Sequence, residues 1–130
     1  MVDESEYEFR NLVNLCGWVA EVPVGRVIKN GQREYVGCIA CLNESDAPIE
    51  VPRLTWDWFR FVLYGRLGDL ASEMMEPCIL VDIVGRLTTR GMQVGQHGDH
   101  SSLVVEVTNF RLLEEPSGRR FNSELGPLRN

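Results

Sequence analysis

Only one stretch of this chain repeats its apolar residues with the period of a helix. In RLGDLASEMM, residues 66–75, Leu67, Leu70, Ala71 and Met74 fall at i, i+3, i+4 and i+7, the spacing of a helix with a single buried stripe. Pro77 closes it. The other apolar runs are β-branched, aromatic or alternating, which is the composition of strands. At 130 residues the chain is long enough for one domain with a real core and too short for two. Its strands must therefore bury themselves mainly against one another.

The strand signals come in a definite order. Residues 1–9 read as a polar arm. RNLVNLCGWVAEV, residues 10–22, carries Gly17 as a candidate bend. GRVIK meets REYVGCIACL across Asn30-Gly31, the strongest short hairpin signal. NESDAPIEVPR, residues 43–53, reads as a loop, and TWDWFRFVLY as a strand that Gly65 ends. After the helix comes the long strand CILVDIVGRLTTRGM with Gly85 as a second candidate bend. The Gly-rich tip QVGQHGDHS and the last strand SLVVEVTNFRLLEE follow. Five principal strands with one helix between the third and fourth is the layout of an all-β OB-fold barrel. The expected organisation is an arm at 1–9, the barrel at 10–115 and an aperiodic tail at 116–130.

The strand from Trp56 to Tyr64 is the most informative segment. Side chains alternate faces along a strand. One face receives Asp57, Phe59, Phe61 and Leu63, whose three apolar members suit a barrel interior. The other receives Trp56, Trp58, Arg60, Val62 and Tyr64. An arginine buried without a partner is costly, so this second face is expected outside, displaying two indoles, a phenol and a guanidinium. A row of that kind suits single-stranded nucleic acid, because every base has a π-face and each stacked base is worth about 1–3 kcal/mol. The competing reading covers the same rings with another subunit or a protein partner, in an OB-fold interaction module. Supporting cations are expected from Arg26, Lys29 and Arg33 around the Asn30-Gly31 hairpin, and from Arg86 and Arg90 on the fourth strand.

The net charge of −6 weighs against a strongly basic nucleic-acid binder. Its distribution weakens that objection. Asp3, Glu4, Glu6 and Glu8 precede the first strand, and residues 10–113 hold ten Lys/Arg against twelve Asp/Glu. No export signal opens the chain and no run reaches the ~20 apolar residues of a membrane span. A cytoplasmic protein without membrane contact is expected, its four cysteines reduced. Cys16, Cys38, Cys41 and Cys78 each sit in an apolar run and are expected to be buried. The Cys38-x-x-Cys41 pair has no second pair beside it, so no metal site and no cofactor are expected. His97 and His100 lie on a loop tip with Asp99 and lack a rigid frame. Phosphate-cradling glycine motifs are absent. The chain is not expected to be an enzyme.

DWFRFVLYGRLGDLASE, VDIVGRLTTRGMQ and SLVVEVTNFRLLE, in this order, closely resemble the bacterial single-stranded DNA-binding protein family. The likeness runs over about residues 11–113 and is carried by Trp58, Arg60, Tyr64, Gly65, Gly85, Leu87 and Arg90. It implies an OB-fold that self-associates as a homotetramer or homodimer and binds single-stranded DNA in replication, recombination or repair, with RNA as the alternative strand. By position, Trp58 and Tyr64 match the family's stacking aromatics, and Arg60 a basic residue beside them. Met92 stands where members often carry a further tryptophan, and Trp56 is an additional aromatic two residues before Trp58. The chain ends ELGPLRN rather than in the family's acidic tip, so partner recruitment through such a tip is not expected.

Overall fold

The computed structural model describes residues 2–43, 55–90 and 102–114. Five strands form: β1 (Val13–Val27), β2 (Arg33–Leu42), β3 (Trp56–Tyr64), β4 (Leu80–Arg90) and β5 (Ser102–Leu112). The helix α1 (Gly65–Met74) joins β3 to β4. The strands close into a barrel in the order β1-β2-β3-β5-β4, antiparallel throughout except where β3 meets β5. This is the OB-fold barrel expected from the element order.

β1 joins two segments that the sequence separates. Residues 13–18 pair with β4 and residues 18–27 with β2, so one long strand serves both neighbours and curls the sheet. Gly17 sits at this change of partner. The register shifts themselves come later, between Val19 and Val24, where Pro23 has no N–H to give to a ladder. Gly85 lies at a register shift in β4, as a bend there requires. The β1–β2 connection turns on Gly31, whose φ of 83° is in the left-handed region. Its N–H donates to the Ile28 carbonyl at 2.8 Å.

The core lies inside the barrel. Val19, Ile39, Phe61, Leu63, Val81, Ile83, Val105 and Val107 meet there, with Ala71 and Met75 closing one end. Full burial of each large aliphatic or phenyl side chain contributes about 1.5–3 kcal/mol. The helix turns a different stripe inward from the one its spacing suggests. Ala71 and Leu67 pack on the core as expected, but Leu70 and Met74 are exposed, while Gly68 and Met75 are buried. The cause is Tyr35 of β2, whose ring lies against Gly68. A Cβ there would come within 2.1 Å of the ring, so only the bare backbone lets the helix seat this closely. The Tyr35 hydroxyl bonds to Asp69, and Arg33 Nε donates to the same carboxylate at 2.8 Å.

The cysteines correct one expectation. Cys78 alone is buried, Cys38 and Cys41 are half-buried, and Cys16 is exposed. All belong to apolar runs, but strand alternation overrides the run. Leu15 turns toward the core and Cys16 outward, whereas Cys41 packs against the core from β2. Among the described residues no group of His, Cys, Asp and Glu could hold a metal ion. No described helix is long and apolar enough to cross a membrane. His97, Asp99 and His100 lie outside the described residues, as does residues 116–130.

Candidate functional site

The two faces of β3 part only in some positions as alternation requires, since residues 57–60 are all exposed and 61–63 all buried. Phe61 and Leu63 enter the core, but Phe59 is exposed. Among the described residues the pairing of β3 with β5 begins at Phe61, and residues 56–60 pair with β2 alone. Phe59 stands in that singly paired stretch. On the opposite face Trp58 is 50% exposed and Arg60 is also exposed, whereas Trp56 and Tyr64 are half-buried. Val62 is fully covered, paired with Val36 on one side and Glu106 on the other.

Strand register extends this face sideways. Ala40, Cys38, Val36 and Glu34 of β2 stand opposite Trp58, Arg60, Val62 and Tyr64. Val24 and Arg26 of β1 stand opposite Val36 and Glu34. The face is concave, with an open groove of about 900 Å³. Val24 and Arg26, Val36 and Cys38, and Trp58 and Arg60 line it from three successive strands, and Ser102 to Val104 at the start of β5 form the far wall. Trp58 and Tyr64 lie six residues apart, roughly 20 Å along the strand. This is the β2–β3 face on which OB-folds take oligonucleotides.

The cations divide by partner. Arg60 has no carboxylate in reach among the described residues. Arg26 Nε donates to Glu34 at 3.0 Å, and Arg86 donates to Glu106 at 2.9 Å. Lys29 is exposed in the β1–β2 turn. Arg33 is drawn away from the groove, since it alternates onto the Tyr35 side of β2 and is held by Asp69. Hydrogen bonds from Arg33 and Tyr35 keep the Asp69 carboxyl down at about 2, below its ordinary 3.8. Arg90 pairs with Ser102 at the end of β4, its side chain outside the described residues together with Met92. The structure thus brings Trp58, Arg60 and Arg26 to one groove, leaves Tyr64 half-buried opposite Glu34 and outside the lining, and sends Arg33 elsewhere.

Two features of the groove lining escape sequence reading, the apolar floor of Val24 and Val36 and the Cys38 thiol, and so does the Glu34 carboxylate buried beside Arg26. Burial pushes the Cys38 thiol up, Glu21 adds to the shift, and the neighbouring Arg60 opposes it. Alternation in REYVGCIACL separates Glu34, Val36 and Cys38 from Tyr35 and Ile39. Which set faces Trp58 depends on the β2–β3 register, and that is a tertiary fact.

Compared with known protein families, residues 10–113 match the model of the single-strand binding protein family. A search of curated proteins finds no match.

Proposed function

The chain belongs to the single-strand binding protein family, and from that premise we infer that single-stranded DNA lies in the groove across β2 and β3, held by base stacking and arginine–phosphate contacts with little regard to sequence. The observation that carries this reading is the pair at the groove wall: a half-exposed Trp58 beside Arg60, a guanidinium with no carboxylate to satisfy it among the described residues. An indole left half in water serves no core. An exposed guanidinium two residues along the same face offers a phosphate contact and a cation–π surface.

The remaining roles follow from position. Tyr64 stacks a base at the far end of the face, and Trp56 extends the aromatic row at the near end. Arg26, Lys29 and Arg86 contact phosphates along the rims, and Arg90 and Met92 are further proposed contacts. Arg33, tied to α1, contributes to the fold instead. Binding needs no cofactor and makes or breaks no covalent bond. The protein acts in the cytoplasm as a homotetramer or homodimer, in replication, recombination or repair.

Titration with oligo-dT and oligo-rU, followed by intrinsic fluorescence, tests the reading. A base stacked on Trp58 quenches the indole, and the affinity falls with added salt as phosphate contacts are screened. An unquenched spectrum at micromolar oligonucleotide is the result that goes against it.

A further inference from the structure

The face that carries the groove holds more than one carboxylate, and one of them is buried. Glu34 is the only charged residue buried among those described, with 2% of its surface exposed, and it stands on the face assigned to phosphates. A carboxylate taken out of water carries a desolvation cost of several kcal/mol unless its oxygens are satisfied. They are. Oε1 accepts from Arg26 Nε at 3.0 Å, and Oε2 accepts from the Tyr64 hydroxyl at 3.2 Å. The register places the three residues side by side, Arg26 opposite Glu34 on one strand pair and Tyr64 opposite Glu34 on the next.

Two of those residues belong to the proposed binding surface. Arg26 lines the groove and is 66% exposed, and Tyr64 ends the aromatic row. Each has rotamer freedom to lose when a nucleotide binds, and fixing a side chain in advance removes that cost from the binding step. A carboxylate that anchors the phenol by its tip and the guanidinium by Nε fixes both at once. Neither bond itself uses the ring face or the outer guanidinium nitrogens.

We propose that Glu34 is a positioning residue of the groove, holding Tyr64 and Arg26 as one preset unit for a stacked base and its neighbouring phosphate. This rests on the single-stranded DNA reading of the groove. It makes a prediction opposite in sign to simple electrostatics. Removing a carboxylate from a DNA-binding face relieves repulsion and tightens binding, whereas removing a positioning residue loosens it.

The test measures oligo-dT affinity by tryptophan quenching at about 0.3 M salt, where screening shrinks the charge effect, alongside thermal unfolding. Glu34→Gln is expected to weaken binding three- to tenfold at a temperature where the variant is fully folded. Tyr64→Phe keeps the ring and loses only the anchored hydroxyl, and is expected to weaken binding two- to fivefold. The double variant is expected to bind no more weakly than Glu34→Gln alone, because both changes break the same contact. A purely structural Glu34 moves the melting temperature and leaves these affinities alone. Should Glu34→Gln fail to fold, Tyr64→Phe carries the decision. Unchanged or tighter binding by the folded variants overturns the proposal while wild-type binding stands. Absence of binding by the wild type removes the groove reading itself, and the proposal with it.

Discussion

Arg60 offers the sharpest measurement, because no carboxylate among the described residues matches its charge, whereas those of Arg26 and Arg86 are matched. Arg60→Gln removes one cation from the groove wall and keeps the length of the side chain. No carboxylate among the described residues loses a partner and the side chain is exposed, so stability should move by no more than about 0.5 kcal/mol. Binding should respond differently. Each phosphate neutralised on a single strand adds about 0.7 to the slope of log K against log salt. One contact fewer means that raising salt from about 50 to 200 mM weakens the variant ~2.6-fold less than the wild type. Arg26→Gln is the contrast. Its charge is balanced by Glu34, so the slope changes less, while a buried carboxylate loses a donor at a cost of about 1–3 kcal/mol in stability. Oligo-dT titrations at four salt concentrations, with a melting curve for each variant, supply both numbers. An unchanged slope for Arg60→Gln, at wild-type stability, would refute the assignment of Arg60 to a phosphate.

Trp58→Ala should weaken oligo-dT binding by about 1–3 kcal/mol and remove most of the fluorescence quenching. Because the indole is half in water already, the melting temperature should change little. Asp69→Asn should destabilise the fold near neutral pH and lose that effect in acid. The Asp69 carboxyl is held at about 2 against an ordinary 3.8, so its contribution is complete above 3.8 and fades as pH falls through 2. Wild-type and variant melting curves should therefore converge across that window, and curves that stay parallel count against the Arg33–Asp69–Tyr35 link. With an aromatic disulfide reagent at pH 8, exposed Cys16 should react first. Burial pushes the Cys41 thiol up to about 11 and should leave it slow. Cys38, which lines the groove, should be protected by bound oligo-dT, and protection of Cys16 instead would place the strand on the wrong face.

The barrel was legible because its determinants are local. One helical period among alternating runs, Asn30-Gly31 at a turn, and Gly85 at a bend each act within a few residues, and together they set the element order. The groove was legible in part. Alternation separates Trp58 and Arg60 from Phe61 and Leu63, and these four lie as expected, whereas Asp57 and Phe59 are exposed and Val62 is buried. Where reading failed, the deciding contact came from far away in sequence. Phe59 is exposed where, among the described residues, β3 pairs with β2 alone. Arg33 looks like a hairpin cation until Asp69, 36 residues later, claims it. The helix stripe rotates because Tyr35 needs the space that Gly68 leaves open. Glu34 resembles any surface acid in the sequence, and only pairing on both sides encloses it between Arg26 and Tyr64.

The net charge of −6 and the binding reading are reconciled by where the charges stand. Asp3, Glu4, Glu6 and Glu8 lie exposed on the arm ahead of β1, outside the groove lining. Among the described residues of the binding face, Glu34 and Glu106 each sit against an arginine, and Glu21 stands exposed opposite Cys38. The pairs are close to neutral, and Arg60 is left as the groove cation with charge to spare among the described residues. Phosphate attraction from such a face is weak, and exposed charges beyond about 10 Å are screened at ordinary salt in any case. On the proposed reading, most of the affinity comes from flat apolar contact, on the indole of Trp58 and the phenol of Tyr64. Rings contribute in full only when they are already in place as the base arrives. A surface that gives up net positive charge for an arginine–carboxylate–phenol brace therefore exchanges long-range attraction for order at the point of contact.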